Sequence, residues 1–365
     1  MSDVSPEFSS YVNHMAFLRN ASSRVGHDDI ALLQATSFAH GRCIPKSGQL
    51  DINVIWYNEA LTKRESSMNS SREDDLLAKF PPTEKILLDR PSVVIDSVYR
   101  IIIWYIPDGL VRGLQNDMYM ATVAMGDLLK KSVVNRKRAI GESSGPTFDP
   151  TESPGLTPGC INIAPCWFHK DMKQCYGLPP EISMKAFKPG VSATLKGNRS
   201  LSMIMAMQRP ALLASATLRV MHPQLYWASV RTHVELGHWS ADQGLWDMHH
   251  FLKHWASVYT GAAVMCNRQS PDHRDPRCPH EAFNILTCIG SYRHTVMQLK
   301  NFGIELAYNP GVHGDQIVWA WFLRDSIHNY AHTPRPDYAR YNPADLDAYE
   351  LAKYNQADFA LYGTL

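Results

Sequence analysis

No run of this sequence is long and apolar enough to cross a membrane, and the first residues, with Asp3 and Glu7 and no apolar core, lack the form of a secretory signal. An excess of charge of either sign is also missing. The chain sets 36 Lys and Arg against 35 Asp and Glu for a net charge of +1, a balance that neither demands nor excludes a polyanionic partner. Its 7 cysteines are odd in number and include no Cys-x-x-Cys pair. That argues against a disulfide framework and the usual structural zinc spacing, and it points to a reducing compartment; Cys160, Cys166 and Cys175 read as ordinary thiols. Nothing repeats internally, so solenoids and propellers drop out. The expectation is a protein of the nucleus or cytoplasm that is not secreted. What is there is a chain of 365 residues, 45% hydrophobic, enough to fill the core of one large domain or two small ones.

Along the chain the pattern falls into three parts. Residues 1–83 mix polar, serine-rich and acidic stretches, such as Ser66 to Asp75, and read as a variable, partly disordered extension. A folded region over 84–335 opens with two β-branched runs, Ser92 to Asp96 and Arg100 to Ile106, joined by a tight turn. A helix is expected from about Leu110 to Lys131. It ends in a basic cluster of Lys130, Lys131, Arg136, Lys137 and Arg138, where a solvated helix terminus is the plainer reading and phosphate contact the sharper one. After a Gly/Pro/Ser-rich loop, Gly141 to Gly159, extended structure returns at Cys160 to Ala164. Helical periodicity dominates from Ser200 to Trp255, with Leu212, Leu213, Leu218, Leu225, Trp227 and Val230 as core positions. Short strands follow at Ala262 to Met265, Phe283 to Gly290, Val296 to Leu299, Gly303 to Tyr308 and Gln316 to Arg324. Strands so short and closely spaced suit an antiparallel double-sheet barrel. Residues 336–365 read as a tail.

His273-Arg274-Asp275 is the most informative triplet. Residues two apart on an extended backbone project from one face, so an imidazole and a carboxylate at this spacing can share one metal ion. Iron(II) oxygenases add a second histidine from a distant strand, forming a facial 2-His-1-carboxylate triad with positions left open. The spacing alone is common, and a surface or hydrogen-bonding pair is its ordinary meaning. Its setting adds weight: the triplet follows an apolar strand broken at Ser270-Pro271. Arg324 closes a later strand, where a guanidinium fork can pair bidentately with a carboxylate. Trp239, Trp246 and Trp255 recur near His238, His249, His250 and His254. Helices packing on the strands account for them, and the adjacent His249 and His250 leave a helix in different directions.

Several motifs then occur in a telling order: Arg90-Pro91-Ser92-Val93-Val94-Ile95-Asp96, Ile103-Trp104-Tyr105-Ile106-Pro107, Pro158-Gly159-Cys160-Ile161-Asn162, Val264-Met265-Cys266-Asn267-Arg268, His273-Arg274-Asp275, Ile289-Gly290-Ser291-Tyr292, Tyr308-Asn309-Pro310-Gly311 and Leu323-Arg324-Asp325-Ser326-Ile327-His328. Over about Lys85 to His332 the chain thereby resembles the fungal, transposon-associated branch of the TET/JBP oxygenases. The resemblance implies an α+β fold with a double-stranded β-helix (jelly-roll) core and flanking helices. It also implies Fe(II), 2-oxoglutarate as co-substrate, and oxidation of 5-methylcytosine or a related methylated base in DNA. His273 and Asp275 match the metal-binding pair, and Arg324 matches the arginine that grips the far carboxylate of 2-oxoglutarate. Asn267 and Arg268 match an Asn-Arg pair ahead of the metal motif that helps hold the co-substrate or fixes the strand. His328 also matches a family position, and its spacing from Arg324 favours a capping or packing role. With DNA as partner, phosphate contacts from Lys and Arg and a nucleotide flipped from the duplex would follow.

One departure matters. In the family an apolar strand and the second metal histidine lie between Tyr-Asn-Pro-Gly and the Gly-Asp turn, whereas here Gly311 is followed only by Val312-His313 before Gly314-Asp315. Either His313 is the second metal ligand on a shortened hairpin, or that ligand is lost together with one core strand, leaving an edge for the fold to cover. His294 is a weaker alternative, since a histidine within a strand more often serves as a cross-strand polar residue. Two other functions stay open beside the dioxygenase: a catalytically inactive nucleic-acid-binding relative of the same fold, and an oxygenase acting on a substrate other than DNA.

Overall fold

The computed structural model describes residues 46–61, 70–82, 85–89, 92–107, 110, 112–132, 155–168, 189–267, 278–290, 296–307 and 315–341. They form an α+β fold with three sheets. The first elements are β1 (Lys46–Gln49), α1 (Val54–Leu61), α2 (Ser70–Lys79), β2 (Ile86–Leu88), β3 (Ser92–Ile95), β4 (Ile101–Tyr105), α3 (Arg112–Ala124) and β5 (Gly159–Ile163). Helices α4 (Ser200–Ala206), α5 (Gln208–Met221), α6 (Pro223–Asp242) and α7 (Trp246–His254) come next. Then follow β6 (Gly261–Cys266), β7 (Ile285–Ile289), β8 (Val296–Leu299), β9 (Ile304–Ala307), β10 (Ile317–Phe322) and α8 (Asp325–Tyr330). The strands and helices expected between Ser92 and Phe322 are present. The helix expected at Leu110 to Lys131 is α3 followed, past a break at Met125, by a helical stretch over 126–132.

β3 and β4 pair antiparallel, with Ser92 opposite Tyr105 and Ile95 opposite Ile101. The buried Asp96 makes the turn between them, accepting from Val98 N (2.9 Å) and Arg100 N (2.7 Å) through one oxygen. Its other oxygen accepts from Val54 N (3.2 Å) and Arg100 Nη1 (3.2 Å). One carboxylate thus closes a hairpin and caps the start of α1. β1 joins this sheet parallel to β3, so the chain ahead of residue 84 contributes a strand. Val94 and Tyr105 pack with Leu88 and Ile304, joining the first sheet to a second one ordered β2-β9-β8. Val93, Ile95 and Ile101 pack on Phe283, Ala339 and Tyr341.

The third sheet is antiparallel throughout, in the order β5-β6-β10-β7. Its side chains alternate between two faces. One face carries Ile161, Ile163, Ala262, Val264, Ile317, Trp319 and Trp321 into the main core, against Met118, Met203, Leu218, Tyr226 and Phe251 of the helices. Burying a tryptophan of this kind contributes on the order of 4–6 kcal/mol before entropy costs, and Trp319 also donates its indole N–H to Thr122 Oγ1 (3.1 Å). The second face is lined by two cross-strand rows, Cys160-Met265-Val318-Cys288 and Asn162-Ala263-Ala320-Leu286. It stays partly exposed, Leu286 by 43%. The three sheets are hydrogen-bonded separately, and no closed barrel forms among the described residues.

Helix α6 corrects one expectation. Leu225, Ser229, Thr232 and Leu236 are buried at helical spacing, whereas Trp227, off that stripe, is 46% exposed. Leu212 and Leu218 are in the core as expected, and Leu213 and Val230 sit at its margin. No described helix is long and apolar enough to cross a membrane.

Candidate functional site

Of the residues singled out in the sequence, Arg268, His273, Asp275, His294 and His313 lie outside the described residues. Asn267, Arg324 and His328 are described, and so is the Asp315 of the Gly-Asp turn.

Cys266 lies opposite Ile317 in the β6–β10 pair. The chain therefore leaves for His273 and returns from His313 at the same end of the sheet. A clamp joins the two strands there. Asn267 N donates to Gln316 O (2.7 Å), Gln316 N to Asn267 Oδ1 (2.9 Å), and Asn267 Nδ2 to Asp315 Oδ1 (2.8 Å) and Leu156 O (3.0 Å). Leu156 N adds a further donor to Asp315 Oδ1 (2.9 Å). Asn267 adopts φ 45°, the left-handed conformation that asparagine tolerates better than most residues. Asp315 is only 5% exposed and lies so close to Gly155 that a methyl group there would collide with its carboxylate. Both polar groups of the Asn267 side chain are therefore engaged in fixing strands. Burial, and then the charge of Asp315, pushes the neighbouring Cys266 thiol up to about 12, which leaves it protonated and unreactive.

Arg324 stands at the other end of β10, two residues past Phe322, which pairs with Gly261. Its backbone is extended (φ −115°, ψ 126°), so it continues the alternation of Val318, Ala320 and Phe322 on the second face. The Arg324 amide donates to Thr260 Oγ1 (3.0 Å), and that hydroxyl donates to Phe322 O (3.2 Å). The guanidinium carbon lies 3.8 Å from the centre of the Trp167 ring and 5.3 Å from that of Phe322. Between the clamp and this arginine β10 runs unbroken from Ile317 to Phe322, about 16 Å at strand rise. Asn267 and Arg324 thus mark opposite ends of one sheet face, and His313 is attached to the chain at the end remote from Arg324.

His328 is fully buried, its Nδ1 3.1 Å from Thr232 Oγ1 and 3.4 Å from Thr333 Oγ1. Burial, with smaller contributions from His233 and Arg335, pushes it down to about 4. The packing role fits. His249 Nδ1 meets Gly237 O (3.1 Å) and His254 Nδ1 meets His250 O (2.8 Å), so these rings serve the helices. Trp255 is in the core and Trp246 is 68% exposed. Among the described residues no group of three His, Cys, Asp or Glu is placed to hold a metal ion.

Sequence reasoning did not single out Trp167 or Phe322 as partners of Arg324. The only local signal was an aromatic pair, Trp167-Phe168, directly after the β5 region.

Fold and site together define an α+β protein built on a four-stranded antiparallel sheet, one face in the core and the other bearing a stacked arginine. No family model and no curated protein matches the chain. Among solved structures it is similar to NgTET1 in complex with 5mC DNA, with a TM-score of 0.34 and 12% identity, over 82% of this chain and 100% of that one. A score that low does not define a shared fold.

Proposed function

We propose that the chain is an Fe(II)- and 2-oxoglutarate-dependent dioxygenase of the TET/JBP type that oxidises 5-methylcytosine or a related methylated base in DNA. On this reading it works in the nucleus, and the four-stranded sheet is part of a double-stranded β-helix. The observation that supports this most is the β6–β10 pair. Its two strands attach the segments bearing His273, Asp275 and His313, and its second face carries Arg324 stacked against Trp167.

The nitrogen and oxygen donors of His273, Asp275 and His313 suit iron(II), and these residues would hold it. The metal, with oxygen and 2-oxoglutarate, supplies oxidation of a methyl C–H bond coupled to formation of succinate and carbon dioxide. Arg324 pairs through its fork with the far carboxylate of 2-oxoglutarate, and Arg268 supports the co-substrate. The Asn267–Asp315 clamp fixes the base of both ligand-bearing segments. A methylated base inside a duplex is out of reach, so it flips into the site. Lys and Arg contacts to phosphate make binding fall steeply with salt.

The test is succinate formation with duplex DNA containing 5-methylcytosine. Wild-type protein turns over, and His273→Ala reduces turnover to background. Turnover that survives His273→Ala sinks the metal assignment, and iron binding unchanged in His313→Ala removes His313 from the ligand set. A specific observation favours a second reading, an inactive nucleic-acid-binding relative: His313 is attached at the end of β10 opposite Arg324. Salt-sensitive DNA binding without iron binding or succinate would establish that alternative.

A further inference from the structure

Trp167 belongs to no motif read in the sequence, yet its ring centre is 3.8 Å from the guanidinium carbon of the arginine on which the proposed site depends. At that separation the guanidinium lies on the ring face. A stacked guanidinium directs its N–H donors within its own plane, where a carboxylate can meet two of them at once.

The surroundings hold the stack in place. Trp167 is pinned by paired backbone hydrogen bonds with Gly190 (2.7 and 3.0 Å). The Arg324 backbone is tied to Thr260 (3.0 Å). Phe322, 5.3 Å from the guanidinium carbon, lies over Gly261, where a methyl group would come within 2.8 Å of the ring. Glycine at 261 is what admits that ring. Next to Trp167, Phe168 makes an edge contact with Tyr330 (5.3 Å), and Tyr330 another with Trp239 (4.7 Å). These contacts fix α8, which starts directly after Arg324.

We infer that Trp167 is a positioning residue for anion recognition: its ring sets the plane of the Arg324 fork, so that a carboxylate of a keto dicarboxylic acid meets a preformed partner. The ligand class rests on the dioxygenase reading. The advantage is preorganisation, because an arginine already held on a ring gives up less rotamer freedom when the ligand arrives.

The test uses the full-length protein and 2-oxoglutarate itself. Trp167→Leu keeps apolar bulk but presents no π face, and Trp167→Phe keeps a smaller one. The dissociation constant, by calorimetry, rises about tenfold in Trp167→Leu and recovers most of the way in Trp167→Phe. Turnover at saturating 2-oxoglutarate stays near that of wild type, which a general loss of structure would not allow. The Arg324 side-chain Nε–H resonance, shifted upfield by the indole ring current, returns toward the usual arginine position in Trp167→Leu. Wild-type affinity in Trp167→Leu, or an Nε–H resonance unmoved by it, overturns the inference. Arg324→Ala separates the two failures. If wild type binds 2-oxoglutarate and Arg324→Ala does not, the site reading stands and the Trp167 variants decide the inference. If Arg324→Ala binds as wild type does, the site reading falls, and the inference with it.

Discussion

Asn267 joins β6 to β10 through its backbone and side chain, and it does so at φ 45°. Replacing it with alanine removes three of those hydrogen bonds, takes one donor from the buried Asp315 carboxylate, and puts a side chain that disfavours the left-handed region at a left-handed position. Losing a buried bond to a charged group costs about 1.5–3 kcal/mol and the backbone strain roughly another 1, so Asn267→Ala should lose about 2–4 kcal/mol in urea unfolding. Asn267→Gly should recover only the strain. Stability unchanged in the alanine variant means the clamp carries no weight. The sequence showed Asn267 as part of a motif but left two roles open, because an amide at a strand end serves equally well as a ligand contact or a latch. Asp315 and Leu156, its partners, are far away in the chain. Trp167 was illegible for the same reason: the contact that gives it meaning crosses from residue 167 to residue 324.

Elements were more legible than contacts. β3, β4 and β10 are runs rich in β-branched and aromatic residues, β6 is a short apolar run ending at Asn267, and alternation alone assigns Ile317, Trp319 and Trp321 to one face. β1, with the sequence Lys-Ser-Gly-Gln, has no such signal. It is a strand because β3 offers it an edge, a case of tertiary context overriding propensity. At strand rise the residues between Asp315 and Arg324 already span a strand length, and the register of β10 places the two at opposite ends of one strand. Packing between elements gives a sharp prediction at Gly159, where a methyl group would sit 2.6 Å from the Leu129 carbonyl oxygen and 2.8 Å from its carbon. Those are backbone atoms, so the helical stretch over 126–132 would have to move off β5. Gly159→Ala is expected to cost about 1–3 kcal/mol, read as a lower urea midpoint with an unchanged slope. A midpoint equal to wild type would show that helix and strand separate freely.

Acid should unsettle the whole molecule through histidines that serve the fold. His328 is fully buried beside Thr232 and Thr333, and His233 Nε2 lies 3.1 Å from Val258 O. Burial pushes both down to about 4, and the nearness of His233 lowers His328 further. In the unfolded chain an imidazole takes its proton near 6.5. Between pH 6.5 and 4 the unfolded state therefore binds more protons than the folded one, so stability rises with pH across that window and falls as acid is added. Above it both states are neutral and the effect vanishes; below it both are charged and the loss levels off. For His328 alone the full loss is roughly 2–4 kcal/mol. The expected result is a urea midpoint that is flat above pH 7 and declines steeply from pH 6.5 toward 4. His328→Gln, which keeps a polar partner for Thr232 but cannot titrate, should flatten part of that decline, whatever it does to stability at neutral pH. A wild-type profile level from pH 7 to 4 would mean that these rings take up protons without leaving the core. A variant profile as steep as wild type would place the titration elsewhere.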